Sequence, residues 1–301
     1  MAILIDPPMW PAHGTVFSHL VSDESLDELH EFAKSAELPH RAFDRDHYDV
    51  PVARYQDLVT RGAVEVEATE LVRRLVRSGL RVPARQRPEK IESVLMRRWN
   101  QLAPGHEVTG RDLVARWSQM DRHYHSGPHL LAVLKALDLL LSKGEHPGKY
   151  PRALGFTAWY HDAVYTGTPG QDEDESAELA ITQMGRMDID SPIIDETVRL
   201  ILLTKTHAPE PTDDSGKIFM DADLEVLARS TTDYRRYTED VREEYRHVPL
   251  ELFRKGRAEV LQQLLDKPHL FETRTGQELW EDKARANLNR ELRELRKPLE
   301  N

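Results

Sequence analysis

The stretch Ala158-Trp-Tyr-His161-Asp162-Ala-Val164 sets an adjacent histidine and aspartate into an apolar run that is predicted to be helical. An ionised aspartate in such a run destabilises the folded state unless a cation or hydrogen bonds compensate its charge. A bound metal ion is the simplest compensation, and it needs further ligands from other parts of the chain. Candidate ligands before and after this stretch are His125, His129, Asp221 and Asp223.

Composition limits the class of protein and the kind of metal site. The 301 residues are 39% hydrophobic and 31% charged, and they include no cysteine, which predicts a soluble globular protein of two domains without disulfides. Any metal must therefore be bound by histidine and carboxylate. The formal net charge of -11 argues against a protein that binds the phosphate backbone, so nucleic acid is not the favoured partner.

The sequence contains no signal for a membrane. No apolar stretch approaches the roughly 18 residues that a membrane span needs. The start Met1-Ala-Ile-Leu-Ile-Asp6 lacks the basic segment and the long apolar segment of a signal peptide. We therefore expect a cytoplasmic protein with no membrane partner, and the sequence leaves its assembly, including a homo-oligomer, open.

Residues 1–82 are predicted to form a small α/β domain with a largely parallel sheet, because short strands alternate with helices. The Pro- and Arg-containing residues 83–89 are the predicted linker. The predicted strands cover residues 3–5, 38–43 and 63–66. Three helices are predicted: the first is capped by Ser22 or Asp23, the second covers residues 54–60, and the third is capped by Thr69.

Several polar residues of this domain are candidates for a ligand site. The segment Asp44-Arg-Asp46-His47-Tyr48-Asp49 follows a predicted strand end, where open α/β sheets place ligands. The alternative is a turn in which aspartates are common for conformational reasons. The full set is Asp6, His13, His19, Asp44, Asp46, His47 and Asp49.

The same domain resembles an uncharacterised family of small domains. The residues that carry the resemblance are Ile3-Leu-Ile-Asp-Pro-Pro8, Trp10-Pro11, His13-Gly14-Thr15 and Phe43-Asp-Arg-Asp-His-Tyr-Asp49. Because that family has no assigned activity, the resemblance implies a domain boundary and no mechanism.

Residues 90–301 carry only helical signals and predict an all-α domain, so the overall class is α+β. Pro128 suits the first position of a helix, which places His129 in its first turn and leaves His125 in the preceding loop. The other candidates also fall on predicted helices, His161 and Asp162 late in the helix that begins at Pro151, and Asp221 and Asp223 in residues 218–227.

One upstream histidine, the His-Asp pair and one downstream aspartate make a nitrogen and oxygen ligand set. Such a set suits Mn²⁺, Fe²⁺, Co²⁺, Ni²⁺ or Zn²⁺, and it suits Mg²⁺ less well because of the imidazoles. One divalent ion would compensate all of these buried groups together. For each residue alone, the alternative is a hydrogen-bonded core residue.

Residues from about 90 to 301 resemble the HD superfamily of metal-dependent phosphohydrolases, which is named after an adjacent His-Asp pair. The resemblance implies one divalent metal ion with the ligands His129, His161, Asp162 and Asp223. Asp223 is preferred over Asp221 because the context Ala222-Asp223-Leu224 matches the final aspartate of the family. The series that carries the resemblance is Arg122-His-Tyr-His125 with His129-Leu130, Trp159-Tyr-His-Asp-Ala-Val-Tyr165, Glu173 with Ser176-Ala177, Met220-Asp-Ala-Asp-Leu224, and Tyr234, Tyr237, Arg242, Glu244 and Tyr245.

This resemblance implies hydrolysis of a phosphate ester or anhydride in a small phosphorylated substrate, foremost a nucleotide, by a metal-activated water. Asp162 would orient that water. Glu173 would donate or accept a proton, or it is a plain carboxylate at a helix start. The residues expected to bind substrate are Arg122, His125, Lys205, His207 and Arg242, with a surface role as the alternative for His207.

A function of another class stays open. In it, the HD-like domain binds a metal ion or a nucleotide without turnover, and the N-terminal domain or a partner responds to that binding. By their spacing Tyr234, Tyr237 and Tyr245 fall on one helical stripe, which is more typical of core residues than of a base-stacking site.

Overall fold

The structure is a computed structural model that describes residues 2–12, 14–81, 88–168 and 170–297. The chain divides into two compact units, residues 1–87 and 88–301. His13 and residues 83–87 of the predicted linker lie outside the described residues. The first unit contains a sheet and the second is helical, so the predicted α+β class is confirmed.

The sheet of the first unit is mainly antiparallel. Its third strand pairs antiparallel with the first, second and fourth, and the first pairs parallel with the fifth. The prediction of a largely parallel sheet is therefore wrong, since only two residues separate the second strand from the third and such a short connection joins antiparallel neighbours. The strands are β1 (Ile3–Ile5), β2 (Trp10–Ala12), β3 (Thr15–Ser22), β4 (Tyr48–Pro51) and β5 (Val64–Glu65).

Three helices accompany this sheet, and their starts differ from those predicted. The first helix is capped by Ser25, whose side chain accepts the Glu28 N–H. Asp23, one of the two predicted caps, accepts the N–H of Ala2 instead. Thr69 lies inside the third helix rather than capping it. Residues 40–42 form a 3-10 turn instead of part of a strand. The helices are α1 (Leu26–Ser35), α2 (Val52–Thr60) and α3 (Ala68–Arg77).

The second unit packs its helices around one core of buried side chains, including Trp99, Trp117, Phe156 and Trp159. No described helix is both long and apolar enough to cross a membrane. The helices are α4 (Pro88–Leu102), α5 (Glu107–Trp117), α6 (Gly127–Ser142), α7 (Pro151–Tyr160), α8 (Gln171–Arg186), α9 (Ser191–Leu203), α10 (Asp214–Leu224), α11 (Thr231–Glu244), α12 (Leu250–Asp266) and α13 (Arg274–Leu295).

Helix α7 ends earlier than predicted. Its last residue is Tyr160, His161 is the C-cap, and Asp162 lies in the turn that follows. The N–H of Ala163 donates to the Tyr160 carbonyl, and the Arg122 guanidinium donates to the carbonyls of Asp162 and Ala163. These bonds hold the turn that carries Asp162 directly after the helix end.

Candidate metal centre

Four side chains from three helix ends meet in the interior of the second unit. His129 lies in the first turn of α6, His161 and Asp162 follow α7, and Asp223 lies in the last turn of α10. The Nε2 atoms of the two histidines are 3.3 Å apart, and Asp223 Oδ1 lies 3.1 and 3.5 Å from them. Asp162 Oδ2 lies 3.2 Å from His161 Nε2 and 3.9 Å from His129 Nε2.

The surroundings of His161 direct its Nε2 toward this cluster. Its Nδ1 lies 3.0 Å from the Ala158 carbonyl, which can only accept, so Nδ1 carries the proton. Burial opposes a charge on His161, but Asp162 and Asp223 outweigh burial and raise the pKa of His161 well above its usual range, so Nε2 carries a proton that a metal ion would have to displace. The rings of Trp117 and Phe219 lie 5.3 and 5.5 Å from the imidazole and exclude water from its sides.

The charges of the cluster favour a cation. Burial alone would raise the pKa of Asp162, but the charge of His161 beside it keeps that pKa below the usual range. Burial likewise opposes ionisation of Asp223, but hydrogen bonds to His129 and His161 outweigh burial and lower the pKa of Asp223 well below its usual range. Burial lowers the pKa of His129, which favours its neutral ring. Two buried carboxylates therefore remain ionised beside imidazole nitrogens.

The separations fit ligands of a single ion. Ligand atoms about 2.1 Å from one divalent ion and 90–110° apart lie about 3.0–3.4 Å from each other. The distances among His129, His161 and Asp223 fall in or near this range, and the ligand atoms of these three residues all lie within 4.8 Å of one another. Asp162 lies beside this group, 3.2 and 3.9 Å from the two histidines. Two imidazole nitrogens and carboxylate oxygens suit the first-row divalent ions and Zn²⁺.

Asp221 has a different environment from Asp223, although both belong to α10. Its carboxylate accepts the N–H groups of Glu272 and Thr273 at 2.7 and 2.8 Å and the Thr273 hydroxyl at 2.6 Å. A Cβ on Gly276 would lie only 2.4 Å from Asp221 Oδ2, so the carboxylate is packed tightly under the start of α13. Asp221 anchors α13, and Asp223 is the aspartate of α10 that faces the histidines.

A cavity of about 680 Å³ opens onto the cluster, and three further candidate residues line it. The imidazole of His125 hydrogen-bonds Glu244 Oε2 through Nδ1 at 2.7 Å and stacks on Tyr165. His207 Nε2 lies 3.0 Å from Asp223 Oδ2. Glu173 accepts the Gly170 N–H at 2.6 Å as a helix cap, and this bond matches the alternative of a carboxylate at a helix start.

The basic candidates are held away from the described cavity lining. Lys205 pairs with Asp174 at 2.6 Å. Arg242 donates to the carbonyls of Tyr245 and Val248. Arg122 is buried, and it donates to the His125 carbonyl as well as to those of Asp162 and Ala163. Arg122 therefore positions the segments that carry His125 and Asp162, a role other than the substrate binding expected of it.

We expect Arg122→Met to weaken metal binding and to lower the free energy of unfolding by about 2–4 kcal/mol, because three carbonyls lose their donors. Urea unfolding and titration with Co²⁺ measure the two effects. The exposed Arg235, which pairs with Glu239, provides the matched control Arg235→Met, with no change beyond about 0.5 kcal/mol. Equal stability of the two variants would contradict the positioning role.

Two residues of the site were given no role by the sequence. Glu244 belongs to the residues that carry the HD resemblance, and in the structure it accepts the N–H groups of residues 123–125 at 2.8–2.9 Å. Arg257 lines the cavity and pairs with Glu291 at 2.8 Å. The sequence carries no local signal for either role, because both residues lie on ordinary polar helix faces and their partners are distant.

Comparison with known proteins identifies part of the first unit. Residues 3–78 match the family described as "Protein of unknown function (DUF4031)". These residues form a DUF4031 domain, and the match covers about a quarter of the chain. No curated protein and no solved structure matches the chain. The resemblance of the helical unit to the HD superfamily stays a prediction from the sequence.

Proposed function

We propose that the helical unit is a divalent-metal-dependent phosphohydrolase of the HD type, which acts on a small phosphorylated substrate such as a nucleotide. The observation that carries this proposal is the convergence of His129, His161, Asp162 and Asp223 at one end of a cavity large enough for a small molecule. A divalent ion held there would be placed to activate water for attack on a substrate in the cavity.

The four residues of the cluster would hold the metal ion. When bound, a divalent ion supplies Lewis acidity toward a phosphoryl oxygen and toward the attacking water. Asp162 lies at the mouth of the cluster, since its side chain is 19% exposed whereas the histidines are almost fully buried. Its carboxylate can therefore accept a hydrogen bond from the attacking water and orient it toward phosphorus.

His125 and His207 would act on the substrate from the cavity wall. The hydrogen bond from His125 Nδ1 to Glu244 leaves Nε2 as the atom that can contact substrate. Burial opposes a charge on His125, but Glu244 outweighs burial and raises the pKa of His125, so the ring can donate to a phosphoryl oxygen. His207 hydrogen-bonds Oδ2 of Asp223, whereas Oδ1 of Asp223 faces the two histidines of the cluster. From this position His207 can bind the same phosphoryl group.

The remaining cavity walls favour a substrate with one phosphoryl group and an apolar or aromatic body. The apolar wall consists of residues such as Leu224, Val248, Leu252 and Phe253. Arg257 is the one lysine or arginine among the described residues that line the cavity. Its charge is balanced by Glu291, with which it forms an ion pair. A triphosphate would therefore meet little compensating charge, and a nucleoside monophosphate fits the chemistry better.

The test is phosphate release from nucleoside monophosphates and triphosphates by the untagged full chain, first treated with chelator and then supplied with Mn²⁺ or Co²⁺. We expect monophosphates to be hydrolysed, the chelator to stop the reaction and the metal to restore it. His161→Ala should abolish turnover, whereas the matched control His146→Ala, at an exposed histidine of the same unit, should not change it.

Binding without turnover would favour the alternative function, in which the helical unit is a regulatory module that binds a metal ion or a nucleotide. If the wild-type protein binds a nucleotide tightly but releases no phosphate with any of these metals, the catalytic proposal is wrong. The same cluster would then serve to bind a ligand, and the N-terminal domain or a partner would respond to it.

A further inference from the structure

The DUF4031 domain contains its own cluster of histidine and carboxylate. The Nε2 atoms of His19 and His47 point to the same oxygen, Asp49 Oδ1, at 4.0 and 3.4 Å. The ligand atoms of these three residues all lie within 4.8 Å of one another, and the two imidazole rings are 4.9 Å apart between centroids. The function proposed for the helical unit makes no use of this cluster.

Strand pairing builds the cluster. His19 on β3 lies directly opposite Asp49 on β4 in the antiparallel ladder, so their side chains emerge on the same face of the sheet. His47 precedes β4 by one residue and lies two residues before Asp49, which places it on that face as well. Strand pairing therefore brings His19 and Asp49 together, and His47 joins them from the residue directly before β4.

Each imidazole is oriented by a buried carboxylate of its own. His19 Nδ1 lies 2.9 Å from Asp6 Oδ2, and His47 Nδ1 lies 2.6 Å from Asp46 Oδ1. Asp6 and Asp46 are only 1% and 2% exposed. Because each carboxylate accepts the Nδ1 proton, the Nε2 atom of each ring is directed toward Asp49, and a bound ion would take the place of any proton on it. A carboxylate behind a histidine is the arrangement that orients metal-binding imidazoles in proteins.

Asp6 is built to orient and not to bind. Besides His19 Nδ1, it accepts the backbone N–H of His19 at 2.5 Å and the indole N–H of Trp10 at 3.0 Å. Asp46 also accepts from Arg81, at 3.2 Å. These bonds hold both buried carboxylates in place. The Asp49 side chain is 47% exposed at the outer edge of the cluster. The buried pair thus supports the rings from behind, and the open side faces solvent.

We propose that His19, His47 and Asp49 of the DUF4031 domain bind a divalent first-row transition metal ion or Zn²⁺, with Asp6 and Asp46 as positioning residues. Two imidazoles and one carboxylate form a donor set that these ions prefer over Mg²⁺ and Ca²⁺. Three protein ligands leave coordination positions open on the solvent side, where a small exogenous ligand can reach the ion. This site is independent of the one proposed in the helical unit.

The number of ions per chain tests the proposal. Untagged full chain is stripped with chelator, titrated with Co²⁺ or Zn²⁺ by calorimetry, and measured by elemental analysis after desalting. We expect two ions per wild-type chain, one in His47→Ala, one in His161→Ala and none in the double variant. The exposed His40, which stacks on His30 in the same domain, gives the control His40→Ala with two ions.

These variants separate the two sites. One ion per wild-type chain that is lost in His161→Ala and kept in His47→Ala would overturn the DUF4031 site and leave the proposed hydrolase intact. The reverse pattern would overturn the centre in the helical unit only. Because His47 is buried, the exposed Asp49 provides a second variant, Asp49→Ala, which should lose the same ion with the fold retained by circular dichroism.

Asp6→Asn tests the positioning role. It keeps the size of the side chain, but it cannot accept all three of the present hydrogen bonds. We expect the stoichiometry to stay at two while the affinity of the DUF4031 site for Co²⁺ falls about 10–100-fold. An unchanged affinity together with a lower melting temperature of the metal-free protein would show that Asp6 is merely structural.

Discussion

Replacing Asp223 with alanine is expected to remove the metal ion of the helical unit and to lower kcat/KM by more than about 100-fold, because ligand loss exceeds the effect of losing an outer hydrogen bond. Replacing Asp221, two residues earlier on the same helix, is expected to do something else. It leaves three donors of residues 272–273 unpaired and should lower the free energy of unfolding by about 3–5 kcal/mol.

Elemental analysis and urea unfolding of the two variants distinguish these effects. Asp223→Ala should unfold cooperatively in the metal-free state near the wild-type midpoint, and Asp221→Ala should retain its metal wherever it is folded. Full metal occupancy and activity in Asp223→Ala would contradict its assignment as a ligand. Loss of metal without loss of stability in Asp221→Ala would reverse the two roles.

The fold was predictable where the signals are local. Proline at helix starts and apolar residues at helical spacing mark α6, α7 and α9 in the sequence, and the structure has helices there. The end of α7 was not predictable in this way. It depends on Arg122, whose guanidinium reaches the carbonyls of Asp162 and Ala163 from 40 residues earlier in the chain.

The direction of the strands shows the same limit. Alternation of strands and helices favours a parallel sheet on average, but β3 follows β2 after two residues and imposes antiparallel pairing. The segment from Asp44 to Asp49 was noted as polar from its sequence. The register that sets His19 opposite Asp49 is a property of the folded sheet, and no single stretch of sequence encodes it.

Residue types at the candidate metal centre could be chosen from the sequence, whereas the hydrogen-bond partners of the surrounding charged residues could not. The structure brings His129, His161 and Asp223 together as possible ligands of one ion and places Asp162 beside the two histidines. Charged residues such as Lys205 and Arg242 have many potential partners, and the sequence does not say that an exposed aspartate or nearby carbonyls occupy them. Buried His and Asp are more informative because few partners satisfy them.

Glu244→Gln is expected to lower kcat about 10–100-fold while the metal content stays unchanged. The glutamine keeps an oxygen for the N–H groups of residues 123–125, but it cannot both do so and accept from His125 Nδ1 and the Tyr165 hydroxyl as the carboxylate does. His125 would then lose the charge that favours its protonated form. Steady-state kinetics measure the fall in kcat, and elemental analysis measures the metal content. The matched control is Glu243→Gln, at an exposed neighbour on α11.

The same substitution has a pH signature. Burial alone would raise the pKa of Glu244, but its hydrogen bond to His125 outweighs burial and lowers that pKa from 4.5 to about 2. The difference between these pKa values corresponds to about 3 kcal/mol, which stabilises the fold above pH about 4.5 and is lost as the pH falls through about 2. Wild type should therefore exceed Glu244→Gln in free energy of unfolding at pH 7, and the gap should narrow below pH 4.5. If the difference in free energy of unfolding between wild type and Glu244→Gln stays constant from pH 7 to pH 3, the charge of Glu244 does not stabilise the fold.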